Sequence, residues 1–179
     1  MSQLASTYAQ ALYDLAKEEN LTQTVLQQLT ALQQAFGEEP DFLHLLSAAN
    51  LSKEERCRIL DDSFRGKTEP YVLNFMKILT EKGYIRYFSD CVKAYRAVYN
   101  QDHGILPVKA VTAVPLTQDQ ILRLTEKLKK ITGKSIDLSS SVDPSVVGGI
   151  RLDYDGKRVD GTVQGRLDAV SKMLKNTVL

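Results

Sequence analysis

The hydrophobic period of this chain changes once, at Asn100-Gln101-Asp102-His103-Gly104, and that change limits what it can fold into. Before it, apolar residues recur at the three- and four-residue spacings of amphipathic helices. After it, β-branched residues dominate and alternate with polar ones at the spacing of strands. A single layer type cannot serve both patterns. The polar, glycine-ended segment between them is the natural boundary, dividing the chain into residues 1–104 and 105–179. The fold class that follows is α + (α+β): an N-terminal six-helix bundle followed by a small mixed α+β domain.

Six helices account for the first part. Leu4, Tyr8, Ala11, Leu12 and Leu15 form one stripe on a helix ending near Asn20. Thr22 is placed to cap the second, which aligns Val25, Leu29, Leu32 and Phe36 before Gly37 stops it. Pro40-Asp41 opens a short third helix. Ser52-Lys53-Glu54-Glu55 is a capping box for the fourth, with Ile59, Leu60 and Phe64 inward. Thr68-Glu69-Pro70 starts the fifth and Gly83 ends it, and Phe88, Val92, Tyr95 and Tyr99 define the sixth. Short connections between amphipathic helices predict a compact bundle.

Two of these helices are more apolar than one core face requires. On a helical wheel the apolar arc of the first spans about 160° and that of the fifth about 220°, against roughly 100° for a single buried stripe. The surplus on the first is small residues, Ala5, Ala9 and Ala16, which admit a second backbone closely. On the fifth only Asn74, Lys77 and Glu81 form a polar strip. One reading is central packing within the bundle. The other is a groove for a partner's amphipathic helix.

In the second part, Ile105 to Val114 reads as a strand, and Ile121, Leu124, Leu128 and Ile131 align on a helix closed by Gly133. Ile136, Leu138 and Val142 alternate as a second strand. The connection is long enough for a parallel crossover. Asp143-Pro144 then opens a turn, and Ile150, Leu152 and Tyr154 alternate with Arg151 and Asp153. Asp155-Gly156 fits a type I′ hairpin, which needs φ > 0 at both central residues. Asp160-Gly161-Thr162 supplies capping side chains before Val163, Leu167, Val170 and Leu174, which recur at helical spacing. Gly148-Gly149 and Gly165 deny side chains where backbones come close.

Chemistry at a catalytic site is not indicated. Gly133-Lys134-Ser135 mimics the end of a phosphate loop, but it follows a helix, and Leu128 stands where the first glycine belongs. Asp153-Tyr154-Asp155-Gly156 lacks the next oxygen ligand of a calcium loop. His44 and His103 have no ligand set at metal spacing. Cys57 and Cys91 form no C-x-x-C pair and fit the reduced thiols of a cytosolic protein. Cofactors and metals are therefore not expected. A net charge of +1 gives no electrostatic reason for nucleic-acid binding. No run of about 18 apolar residues predicts membrane insertion, and the first six residues lack the basic start and apolar core of a signal peptide. Residues 1–104 carry 11 basic against 14 acidic side chains, residues 105–179 carry 12 against 8, a division compatible with different partners for the two parts.

Gly148-Gly149-Ile150, Asp160-Gly161-Thr162 and Gly165-Arg166-Leu167 carry a resemblance, together with Tyr8-Ala9-Gln10-Ala11-Leu12 and Ala16 in the first helix. Asn74-Phe75-Met76-Lys77-Ile78-Leu79 followed by Lys82-Gly83 extends it to the fifth. In these segments the chain resembles the delta-subunit family of bacterial F-type ATP synthase, to which the mitochondrial oligomycin sensitivity-conferring protein is related. The resemblance implies a non-enzymatic stator subunit of the peripheral stalk, present once per complex at the cytoplasmic face of the bacterial cell membrane. It implies that helices one and five hold the N-terminal helix of an alpha subunit of the catalytic head, through Ala5, Tyr8, Ala9, Leu12, Ala16, Asn74, Phe75, Ile78 and Leu79. It also implies that residues 105–179 grip the stalk's b subunits, with Gly148, Gly149, Asp160, Gly161, Gly165, Arg166 and Leu167 as structural signature. The alternative is a helical protein-binding adaptor of another multisubunit complex. Without a phosphate-cradling loop, the purified protein is expected to show no micromolar ATP binding by calorimetry. Binding traced to this chain would overturn the non-enzymatic reading.

Overall fold

The computed structural model describes residues 3–48, 50–146 and 148–162. Its architecture is α+β, with seven α-helices and a four-stranded mixed sheet among those residues. Contacts divide the chain into two compact units, Met1–Tyr99 and Asn100–Leu179. The sixth helix runs on through Asp102, so its last residues belong to the second unit.

The first unit contains α1 (Gln3–Glu18), α2 (Thr22–Glu38), α3 (Pro40–Leu46), α4 (Lys53–Phe64), α5 (Pro70–Glu81), a 3₁₀ turn (Ile85–Tyr87) and most of α6 (Phe88–Asp102). Chain reversals follow local chemistry. Ser52 Oγ accepts the Glu55 N–H at 3.1 Å while Glu55 Oε2 accepts the Ser52 N–H at 2.8 Å, so the capping box at α4 is complete. Pro70 stands at the start of α5, where a missing N–H costs nothing. Two punctuation marks read differently from expectation. The residue before α2 is Leu21, and no side chain caps that helix, so Thr22 is its first residue and not its cap. Gly37 lies inside α2, which continues to Glu38; Pro40, which opens α3, fixes the break instead.

One apolar cluster gathers buried residues from every helix of this unit: Leu12 from α1, Leu29 from α2, Leu46 from α3, Leu60 from α4, Met76 and Leu79 from α5 and Phe88 and Tyr95 from α6. Phe36 is a hub, with ring centroids 5.5 Å from Phe42, 6.2 Å from Phe64 and 5.1 Å from Phe88. It thereby ties α2 to α3, α4 and α6. Each such pair adds about 0.5–1.5 kcal/mol to the area term. The buried Tyr95 phenol donates to Thr22 O at 3.1 Å, which removes an unsatisfied hydroxyl from the core.

The second unit is built on β1 (Ile105–Thr112), α7 (Gln118–Thr132), β2 (Ser135–Val142), β3 (Ile150–Tyr154) and β4 (Lys157–Asp160). The sheet order is β2-β1-β3-β4. β1 and β2 pair in parallel across α7, while β3 pairs antiparallel with both β1 and β4. Thr117 and Gln120 form a second capping box at the start of α7, and Gly133 closes it at φ 68°. The β3–β4 hairpin has Asp155 at φ 47° and Gly156 at φ 69°, the double positive φ of a type I′ turn. Ile150, Leu152 and Tyr154 lie opposite Thr112, Ala110 and Val108, so one face of the sheet joins these side chains and α7 packs against β2. The expected helix over Val163 to Leu174, with Gly165, Arg166 and Leu167, falls outside the described residues.

Gly149 decides how β3 begins. Its φ is +85°, and a Cβ there would stand 2.5 Å from Gly161 O and 2.8 Å from Thr162 Cα. The Gly161 N–H donates to Ile150 O at 3.0 Å, so the chain leaving β4 crosses directly over this point. Gly149→Val is expected to destabilise the second unit by more than the about 1–3 kcal/mol of the backbone conformation alone, because a backbone carbonyl blocks the new side chain. Hydrogen exchange should show lost protection across β1 and β3 with the amides of α1 to α6 unchanged. Undiminished protection in β3 would contradict this account.

Candidate functional site

α1 and α5 carry all nine candidate partner-binding residues, and the structure sorts them sharply by exposure. Ala5, Ala9, Leu12, Ala16, Phe75 and Leu79 are buried in this chain's own core. Asn74 and Ile78 are exposed and Tyr8 is half-buried. The alanines of α1 do admit other backbones closely, and those belong to the same chain: α1 packs on α2 and α5.

The open surface lies on the flank of that buried stripe. Leu4, Tyr8, Ala11 and Leu15 follow at i, i+4, i+7 and i+11, one side of α1. Leu15 is 47% exposed. Tyr8 meets Tyr84 edge-on at 6.2 Å, and Tyr84 meets Tyr87 at 6.5 Å. Tyr84 and Tyr87 follow the end of α5, whereas Tyr71, in its first turn, lies beside Glu19 at the other end of α1. The two helices therefore run antiparallel. Ile78, seven residues on from Tyr71 and so on its side of α5, is 44% exposed, and Tyr87 is 45% exposed. An apolar strip results, made of Leu4, Tyr8 and Leu15 from α1, Ile78 from α5 and the tyrosines beyond it.

Charges border the strip unevenly. The Glu19 carboxylate pushes the Tyr71 phenol above its ordinary range, with burial and the charges of Glu18 and Glu69 adding to the effect. About 100° round α5 from Ile78, Lys77 Nζ lies 2.6 Å from Asp61 Oδ2, and Arg65 adds a contact at 3.2 Å. The hydrogen bond from Lys77 holds the Asp61 carboxyl below the usual range. This network joins α4 to α5 and leaves the α1 side of α5 to its neutral residues.

Among the described residues of this unit, nothing resembles a reaction centre. An open cleft of about 440 Å³ is lined by Lys53, Glu54, Cys57, Glu81 and Lys82. The Cys57 thiol donates to Glu81 Oε1 at 3.6 Å, and burial together with the Glu81 charge pushes its pKa up. A thiol held protonated is a poor nucleophile. Among the described residues no group of three His, Cys, Asp or Glu side chains could hold a metal ion, and no helix is long and apolar enough to cross a membrane.

A family model described as "ATP synthase delta (OSCP) subunit" matches residues 4–174. The chain belongs to that family. Its relatives include the ATP synthase subunit delta of Alkaliphilus oremlandii, 32% identical over 180 residues and covering all of both chains. That of Clostridioides difficile is 28% identical over 176 residues, 98% of this chain and 97% of the other. Among solved structures, a chain of the Toxoplasma gondii mitochondrial ATP synthase hexamer superposes with a TM-score of 0.76 over 97% of this chain and 98% of that one, at 21% identity. The likeness is one of fold. Members of the family are non-catalytic subunits of F-type ATP synthase and part of its peripheral stalk, and so is this chain.

Sequence periodicity alone could not separate buried from open apolar residues on α1 and α5, because both kinds lie on wide apolar arcs. Leu4 and Leu15 were visible as part of the α1 stripe, and the tyrosines after Gly83 carried no periodic signal. Exposure now separates two kinds of substitution. Ala9→Arg places a long charged side chain in the core and is expected to destabilise the first unit by about 1–3 kcal/mol or more. Ile78→Ser removes an exposed group and should stay within about 0.5 kcal/mol. Thermal unfolding of both variants checks this, and equal losses would contradict the division.

Proposed function

We propose that this protein is the clamp between the catalytic head and the stalk of its ATP synthase. In this reading the first unit is a six-helix bundle that holds the N-terminal helix of an alpha subunit along the α1/α5 strip. The second unit grips the membrane-anchored b subunits. One copy serves each complex, at the cytoplasmic face of the bacterial membrane. Proton flow is coupled to ATP synthesis because the head cannot follow the turning shaft.

The observation that carries the reading is the apolar strip of half-buried Tyr8 with exposed Leu15, Ile78 and Tyr87 on the first unit, in a chain of the delta family. Exposed apolar side chains grouped along two antiparallel helices favour a third helix, which buries its own apolar stripe between them. The task needs no reactive group. It needs rigid attachment at two places, which suits a chain with two separate units. Gly149 then serves the unit that holds the stalk, and the head contact is independent of it.

Calorimetric titration of the full-length protein with a peptide of the alpha subunit's N-terminal segment tests the head contact. The wild-type protein should bind, and Ile78→Glu should weaken binding by about 2 kcal/mol, as expected for a charge at the centre of an apolar contact. Gly149→Val should leave that affinity unchanged while membranes carrying it hydrolyse ATP and pump protons poorly. A peptide that binds Ile78→Glu as tightly as wild type, with the fold intact, would place the head contact elsewhere.

A further inference from the structure

The ends of the α1/α5 strip differ in charge. Asp14 and Glu18 on α1, and Glu19 just after it, lie to either side of the line through Tyr8, Ala11 and Leu15. The one cation of α1, Lys17, lies on the opposite flank over the Tyr13 ring, 6.0 Å from its centroid. Glu69, immediately before α5, joins Glu18 and Glu19 around Tyr71. At the far end, the residues following α5 are Lys82 and Arg86, beside Tyr84 and Tyr87. Glu81 is turned away from the strip into the cleft with Cys57. The apolar strip thus runs from an acidic end, at the close of α1, to a basic and aromatic end at its start.

We propose that this strip receives an amphipathic helix whose lysines and arginines cluster at one end, and that this end lies over Glu18, Glu19 and Glu69. The inference rests on the clamp reading above and adds the chemistry of the occupant and its direction. Apolar burial is indifferent to which way round a helix lies in a groove. Charge is not, since reversed placement would set the occupant's cations against Lys82 and Arg86 and leave three carboxylates without a cation. The electrostatic share should be screened by salt, because all these groups are near solvent.

The test uses the full-length protein and two synthetic amphipathic peptides with the same apolar stripe. One has four lysines at a single end, and the other has glutamines in their place; each carries a nitroxide label at that end. The lysine peptide should bind and broaden the amide signals of residues 15–20 and 69–73 while sparing residues 84–87. The double variant Glu18→Gln, Glu19→Gln should lower its affinity about fivefold at low salt, in keeping with two surface ion pairs, and spread the broadening to both ends. The glutamine peptide should bind both proteins equally. If neither peptide binds, the clamp reading itself falls. If both bind and the lysine peptide keeps its affinity and its label position in the double variant, or shows no preferred end in the wild type, the charge inference is overturned while the clamp reading stands.

Discussion

Small side chains on α1 are the constraint on which the first unit depends. Ala5, Ala9 and Ala16 are fully buried, so the α1 backbone lies close to its neighbours, with no layer of large side chains between them. Large residues at these positions would lift α1 off the core and carry Leu4, Tyr8 and Leu15 with it. Because α1 sits deep, its flanking stripe comes to lie beside α5, and the Tyr8–Tyr84 and Glu19–Tyr71 pairs fix the two helices antiparallel. The open apolar strip is therefore a consequence of core packing. A site built on two such helices keeps its shape under load better than one built on loops.

The second unit solves a different problem. Its sheet mixes one parallel pair with antiparallel ones, and the chain returning from β4 has to pass the start of β3. Gly149 makes that passage possible, with Gly161 O in the space a side chain would fill. Asp160 Oδ1 accepts both the Thr162 N–H at 2.9 Å and its hydroxyl at 2.6 Å, which sets the direction of the chain after the crossing. The conformational freedom of one glycine and one carboxylate therefore shapes this unit's end.

Much of this was legible in the sequence where the signal is local. The capping boxes at Ser52 and Thr117, the left-handed Gly133 and the Asp155-Gly156 hairpin each depend on residues within four positions of one another. The strand–helix–strand crossover followed from spacing. Other features depend on tertiary packing and could not be read that way. Ala9 and Ile78 both belong to wide apolar arcs, yet one is fully buried and the other 44% exposed, because only the arrangement of all the helices decides which part of an arc is used. The same holds for Gly149, whose need for glycine comes from the chain leaving β4, twelve residues further on. At α2 two local signals competed, and Pro40 outweighed Gly37.

The central claim is that one chain joins two grips, and it is tested most directly by cutting between them in a working complex. A site for a sequence-specific protease inserted between His103 and Gly104 falls in the turn after α6 and before β1, so a cut there breaks no helix or strand. Membranes carrying this protein are cleaved and washed, and ATP hydrolysis is compared with ATP-driven proton pumping. The account predicts that hydrolysis continues and pumping collapses, because the head turns freely once the link is broken. Pumping that survives complete cleavage at its original rate would contradict it.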